Sequence, residues 1–190
     1  RLRRMDEKAE IILFERGEYV SYANCGLPYY IGDTIKKRDK LFVQTVNGFT
    51  SRFRIDIRTR QEVTRLIPDQ KQVEVKNLAN GETYLESYDK LVLSPGAEPL
   101  RPRIPGIEDE RIFTLRNVPD TDQIKGYVNS HKPQSAVVVG GGFIGLEMAE
   151  NLHELGIQTT IVEMANQVMA PLDYSMAAIV HQHLTQKGLH

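Results

Sequence analysis

Three glycines and one carboxylate carry the clearest chemistry in the chain. Gly140-x-Gly142-x-x-Gly145 follows the apolar run Ala136–Val139, and Leu146, Ala149, Leu152 and Leu155 then recur at helical spacing. A second apolar run ends at Glu163, at about the 20-residue distance expected of a ribose-binding acid. Strand, tight turn, helix, strand and terminal acid, in that order, suit a dinucleotide. Gly140 permits the turn, Gly142 lets bare backbone approach a pyrophosphate, and Gly145 lets helix pack close on strand. Free N–H groups at the helix start attract the phosphates, and Glu163 can accept from a ribose 2′-hydroxyl. No arginine stands near Glu163 in Met164-Ala-Asn-Gln; a 2′-phosphate facing a carboxylate is repelled, which favours NADH over NADPH. A plain glycine-rich loop is the competing reading, and it leaves the placement of Glu163 unexplained.

The second reactive group is Cys25, the chain's one cysteine, within Ser21-Tyr-Ala-Asn-Cys-Gly-Leu-Pro-Tyr-Tyr-Ile-Gly. A thiolate is the reactive form, and a helix N-terminus favours it. Ser21 and Asn24 are capping-type residues just before a short apolar segment, which predicts Cys25 at such an N-terminus. A buried structural cysteine is the alternative, and spacing alone leaves both open. One cysteine excludes an internal disulfide framework and a cysteine-cluster metal site. The five histidines (His131, His153, His181, His183 and His190) show no ligand arrangement. His181 and His183 are two apart on a predicted helix and so share no face; all five read as surface residues, and no metal is expected.

The elements that must position these groups fall into two repeats. Glu10-Ile-Ile-Leu-Phe-Glu15 repeats the pattern of Thr159 to Glu163, a buried strand ending in an acid. By that analogy, residues 1–8 are the tail of a helix whose glycine turn would precede Arg1, and Glu15 is the ribose acid of an earlier unit. A basic helical end running into any parallel strand is the blander account. If the analogy holds, the chain is a fragment that starts inside one dinucleotide-binding unit and later begins a second, both incomplete and poorly stable alone. Between them, Phe53-Arg-Ile-Asp-Ile-Arg alternates as a strand, and Val63–Val75 and Thr83–Tyr88, the latter beyond the turn at Asn80-Gly81, predict antiparallel strands. Arg52, Arg54, Arg58 and Arg60 are either a solvated strand face or contacts to an anionic substrate. Tyr88-Asp-Lys-Leu-Val-Leu-Ser-Pro-Gly reads as a buried strand meeting a sharp turn. Prolines 99, 102 and 105 punctuate a linker, a helix spans Asn117–Ser130, and another spans Ser175–Gln186, closed by Gly188 in the position that favours glycine. The resulting expectation is an α/β fold of two Rossmann-like units with a small antiparallel β-meander, divided as residues 1–114 and 115–190.

The 190 residues are 41% hydrophobic and 26% charged, an ordinary globular balance. A net charge of −1 offers no footprint for nucleic acid or an acidic membrane. No apolar run approaches the roughly 20 residues of a membrane span, and no secretory segment opens the sequence. These features predict a cytoplasmic protein without nucleic-acid or membrane partners.

The cysteine segment resembles the redox-cysteine segment of coenzyme A-disulfide reductases, flavoproteins of the pyridine nucleotide-disulfide oxidoreductase superfamily. Two-cysteine members of that superfamily carry Cys-x4-Cys; here Tyr30 stands at the second position. A single cysteine resembles the branch of coenzyme A-disulfide reductase, NADH oxidase and NADH peroxidase, and Asn24 before Cys25 is most similar to the first. The resemblance implies an enzyme using FAD and NADH (NADPH possible) to reduce coenzyme A disulfide, or a coenzyme A persulfide or polysulfide, at catalytic Cys25, in a homodimer. It implies that Glu15, Ser94, Gly96 and Ala97 contact FAD, although Pro95 stands where the family usually has threonine. It further implies that Phe143 shields the flavin, that Ile144 lies in the same turn, and that Glu147 positions the carboxamide of the nicotinamide. Without the resemblance, Phe143 is an apolar helix-start residue and Glu147 a first-turn acid. Arg4, Ser21 and Asn24 would bind coenzyme A. An oxidase or peroxidase cycling a cysteine sulfenic acid and a non-catalytic nucleotide-binding module are the alternatives, and the isolated 190 residues are expected to be inactive.

Overall fold

A computed structural model describes residues 1–189. The chain forms two compact units, Arg1–Tyr22 with Phe42–Ala97, and Ala23–Leu41 with Glu98–His190. The segment that carries Cys25 therefore leaves the first unit and packs in the second.

In the first unit, α1 (Leu2–Met5) leads to β1 (Ile12–Glu15), and α3 (Val46–Phe53) leads to β2 (Asp56–Thr59); α2 (Leu27–Ile31) belongs to the other unit. β1 and β2 pair in parallel from Ile12↔Asp56 to Glu15↔Thr59. The alternation that begins at Phe53 becomes a strand only at Asp56, because Thr45 caps a helix by accepting the Gly48 N–H (3.1 Å) and that helix runs through Phe53. β3 (Gln61–Ile67), β4 (Gln72–Asn77) and β5 (Thr83–Ser87) form an antiparallel meander, with an irregularity between Val63 and Arg65 and with Val73 and Val75 buried.

The arginines of this unit are internal ties. Arg58 reaches Asp56 and Glu86, donates to the Tyr84 hydroxyl (3.3 Å) and lies over the Phe14 ring, so it clamps the parallel pair to the meander. Arg60 pairs with Glu18, and Arg54 donates to the Glu7 carbonyl. Arg3 donates to the carbonyls of Phe53 (2.8 Å), Arg54 (2.8 Å) and Ala9 (2.6 Å), fixing α1 beside the end of α3. Residues 89–100 form no ladder, and Leu91, Val92 and Leu93 are exposed. The buried strand expected there is thus an extended segment outside any ladder, and the apolar side chains of Leu91, Val92 and Leu93 meet solvent.

In the second unit, a short 3-10 helix, Asn24–Gly26, runs directly into α2 (Leu27–Ile31). α4 (Val118–His131) starts at a capping box in which Asn117 accepts the Asp120 N–H (3.0 Å) and Asp120 accepts the Asn117 N–H (3.2 Å). β6 (Ser135–Val139), α5 (Phe143–Glu154) and β7 (Gln158–Val162) form a βαβ unit with a parallel register from Ser135↔Gln158 to Val139↔Val162, and α6 (Tyr174–Gln186) follows. The core gathers Ile31 of α2, Ile124 of α4, Met148 and Leu152 of α5, and Ile157, with Ala136 and Val138 of β6 against them. Alternation dictates the rest: Val137 and Val139 point the other way and are 64% and 82% exposed. β6 is therefore covered on one face, where its uniformly apolar sequence predicts two. The architecture is α/β, two Rossmann-like units with a small antiparallel sheet.

Candidate functional site

The βαβ unit builds its turn from the glycines outward. Gly140 sits at φ +108°, a conformation that L side chains rarely adopt. A Cβ at Gly145 would fall on the Gly140 carbonyl oxygen, so the first turn of α5 closes on β6 only with glycine there. Gly142 is the N-cap of α5 in extended conformation, with no side-chain cap. A Cβ built on it would meet no atom within 4 Å, which leaves clear space in front of the helix N–H groups. That open, donor-lined place fits a pyrophosphate.

Glu163 completes the site. Its Oε2 accepts the Gly141 N–H (2.6 Å) and its Oε1 the Ala165 N–H (2.8 Å). The backbone N–H of Ala165, then those of Gly141 and Met164, hold the carboxyl below the ordinary glutamate value. The acid expected at the ribose thus stands against the glycine turn, ionised and oriented. Phe143 and Ile144, 64% and 59% exposed, flank the same turn, and Glu147 lies half-buried one turn on, its carbonyl accepting from Asn151 (2.8 Å).

Cys25 is a free, exposed thiol in the 3-10 helix, which removes the buried structural alternative. Neither Ser21 nor Asn24 caps that helix. Ala23 occupies the N-cap with no side-chain bond, and Ser21 offers its backbone carbonyl to Val43 (3.1 Å). The 3-10 entry is what displaces the cap, because it starts the helical path at Asn24 itself. α2 packs on both α4 and α5. From α4, Arg38 is held by Asp122 (2.6 Å), and Lys125 donates to Asp33 (2.7 Å) and to the Tyr30 carbonyl (2.6 Å) while lying over the Tyr30 ring. Burial, then the carboxylates of Glu147 and Glu150 and the Cys25 sulfur, push the Tyr29 phenol up from its ordinary value. The cysteine segment and α5 share one neighbourhood, since α2, which continues the Cys25 turn, packs on α5. A cleft of about 550 Å³ beside it is lined by Tyr29, Lys36, Asn151 and Glu154 among others. Its charges of both signs point to no single ligand, and the glycine turn does not line it.

The remaining sequence-expected residues lie in the first unit. Glu15 ends β1 and its carboxylate accepts the Gly17 N–H (2.6 Å). Ser94, Gly96 and Ala97 are exposed in the extended segment, with Gly96 at φ +72°. Arg4 is exposed on α1, while its neighbour Arg3 makes the structural bonds. Sequence reasoning missed one residue of the second unit: His181 is half-buried, and its Nε2 accepts the Val168 N–H (3.0 Å). The signal available was the apolar spacing of α6, which places position 181 on the same side as buried Ala177. Among the described residues, no cluster of histidine, cysteine and acidic side chains could hold a metal, and no helix is long and apolar enough to cross a membrane.

Comparison with known proteins agrees with this geometry. A coenzyme A disulfide reductase of Staphylococcus epidermidis is 39% identical over 188 residues, 99% of this chain and 42% of the relative. The crystal structure of reduced Bacillus anthracis CoADR-RHD superposes with a TM-score of 0.96 at 57% identity, covering 100% of this chain and 34% of that one. An NAD-dependent persulfide reductase from A. fulgidus gives a TM-score of 0.94 at 37% identity, covering 100% and 35%. The chain thus spans less than half the length of these relatives. The family model described as pyridine nucleotide-disulphide oxidoreductase matches residues 1–190, and the chain, with its acid-ended parallel strands and glycine turn, belongs to that family.

Proposed function

We propose that the protein of which this chain is part is an FAD- and NAD(P)H-dependent oxidoreductase that reduces coenzyme A disulfide through Cys25. The observation that carries the reading is the exposed Cys25 thiol on a helix segment packed against α5, the helix that begins at the Gly140–Gly145 turn. The likeness to proteins named coenzyme A disulfide reductase supports the substrate. Residues 1–114 would serve FAD and residues 115–190 NAD(P)H, in a cytoplasmic homodimer.

Bound FAD and NADH would supply the two-electron reducing power; the chain's own residues do the following. Gly142 and the first N–H groups of α5 receive the pyrophosphate of the nicotinamide cofactor. Glu163, already fixed by Gly141 and Ala165, accepts from its ribose hydroxyl, and Phe143, Ile144 and Glu147 line its reacting end. Glu15 holds the FAD ribose, and Ser94, Gly96 and Ala97 offer backbone to the flavin nucleotide. Arg4, Ser21 and Asn24 bind coenzyme A. The Cys25 thiolate attacks one sulfur of the disulfide: a Cys25–S–S–CoA bond forms, the original S–S bond breaks, and one coenzyme A thiolate leaves. Two electrons then cleave the mixed disulfide and return Cys25 and the second coenzyme A as thiolates.

The test uses the full-length protein. NADH oxidation followed at 340 nm with coenzyme A disulfide should proceed in a yellow, flavin-containing protein and vanish in Cys25→Ser. Turnover with oxygen or peroxide alone would move the protein to the oxidase–peroxidase branch. A colourless protein that turns nothing over would leave a nucleotide-binding module. A second acceptor, a coenzyme A persulfide, is favoured by the 0.94 TM-score to a persulfide reductase, and the same assay with that acceptor separates the two.

A further inference from the structure

We propose that His181 is a positioning residue for the dinucleotide site: it anchors the loop that holds Gly141 against Glu163. The inference rests on the proposed NADH site and extends it to α6. The loop between β7 and α6 passes under Gly141, and two consecutive residues grip it. Val168, 8% exposed, packs so closely that a Cβ at Gly141 would stand 2.7 Å from its Cγ1. Met169 donates its N–H to the Gly141 carbonyl (2.8 Å). The other backbone polar group of the same residue, the Gly141 N–H, donates to Glu163 Oε2 (2.6 Å). Gly141 is therefore held from both sides, by residues 168–169 on one and by Glu163 on the other.

Within this pair Met169 is tied by its carbonyl, which accepts the Leu172 N–H (2.8 Å), and Val168 is tied by His181. Val168 is buried, so its N–H needs a partner, and His181 Nε2 is the acceptor at 3.0 Å. The ring is itself held edge-on to Tyr174 (centroids 6.5 Å apart) and borders a cavity of about 170 Å³ shared with Glu163, Val168 and Leu184. A second bond, from Gln167 Nε2 to the Leu172 carbonyl (2.7 Å), closes the loop's far end but leaves Val168 untouched. Loss of the imidazole acceptor frees Val168, then Gly141, and lets the Glu163 carboxylate turn away from the ribose position.

The test compares His181→Leu, which fills the site without an acceptor, with His181→Gln, whose amide oxygen can accept at similar reach. In the full-length protein, the leucine variant should bind NADH about tenfold more weakly, because binding must then re-order Gly141 and Glu163. Its kcat at saturating NADH and its KM for coenzyme A disulfide should stay near wild type. Hydrogen exchange should quicken at Gly141 and Val168 in the leucine variant, and His181→Gln should restore both exchange and affinity. Wild-type protein that binds no NADH overturns the site reading and this inference together. Wild type that binds NADH while the leucine variant matches its Kd and exchange overturns the inference alone, as does equal loss in both variants.

Discussion

The two strand-end acids, Glu15 and Glu163, make the same local contact and differ in one bond. Each ends or follows the strand of a parallel pair, β1 with β2 and β7 with β6. Each carboxylate accepts the N–H two residues ahead, Gly17 for Glu15 (2.6 Å) and Ala165 for Glu163 (2.8 Å). Glu163 alone spends its second oxygen on a residue 22 positions away, the Gly141 N–H. The short-range bond follows from an acid at a strand end where the chain turns back. The long-range bond needs a second element brought to the same edge, and here that element is the glycine turn. A carboxylate fixed at one oxygen can still swing, whereas one fixed at both is oriented before a ligand arrives, so less ordering remains for binding to supply.

Breaking the turn should separate the two units most clearly. Gly145→Ala places a methyl against the Gly140 carbonyl and should destabilise the second unit by about 1–3 kcal/mol. Hydrogen exchange would quicken across 135–162 and stay unchanged across 61–87; equal quickening in both would deny that the clash is local. Gly142→Ala is the control, since its Cβ meets nothing within 4 Å. It should cost less than about 1 kcal/mol yet weaken NADH binding severely, because the methyl would enter the space proposed for the pyrophosphate.

Glu163→Gln and Glu15→Gln sharpen the comparison at the acids themselves. Loss of the proposed charge-assisted bond to the ribose should weaken NADH by about tenfold in Glu163→Gln, with flavin content intact. Glu15→Gln should show the reverse, reduced flavin content with NADH affinity retained by the flavin-loaded fraction. Isothermal titration and the visible spectrum read the two effects separately, and identical outcomes would erase the distinction between the sites.

The smallest effect is on pH dependence. Backbone N–H groups hold the Glu163 carboxyl below its ordinary value, so the folded protein favours its ionised form. That contribution is fully present above the ordinary glutamate range and is lost as the pH falls through the lowered value. Protection of the Gly141 amide, taken relative to the intrinsic exchange rate at each pH, should therefore fall as the pH drops through the lowered value, and Glu163→Gln should flatten that profile. A wild-type profile already flat would contradict the orientation by backbone donors.

Several features were legible without coordinates because they are local. The glycine spacing specifies its turn through a positive φ at Gly140 and a missing Cβ at Gly145, constraints that act within six residues. The meander follows from strand alternation and its turns, and α4 from a capping box written into Asn117 and Asp120. The strand-end acids announce themselves by position. By contrast, the four arginines of 52–60 read as a solvated face first and as substrate contacts second, and Arg58 proved to be neither, because its partners Glu86 and Phe14 come from other strands.

The sequence by itself determined the glycine turn, the two acid-ended strands and the single thiol. Only the tertiary structure decided that residues 23–41 pack on α4 and α5, that Val137 and Val139 face away from the core, and that His181 serves Val168 rather than solvent. The physical reason is range. Backbone conformation and periodicity are fixed by neighbours a few residues away, whereas packing partners and the donors that reach a buried acceptor are fixed by whichever distant segment the fold brings within about 3 Å.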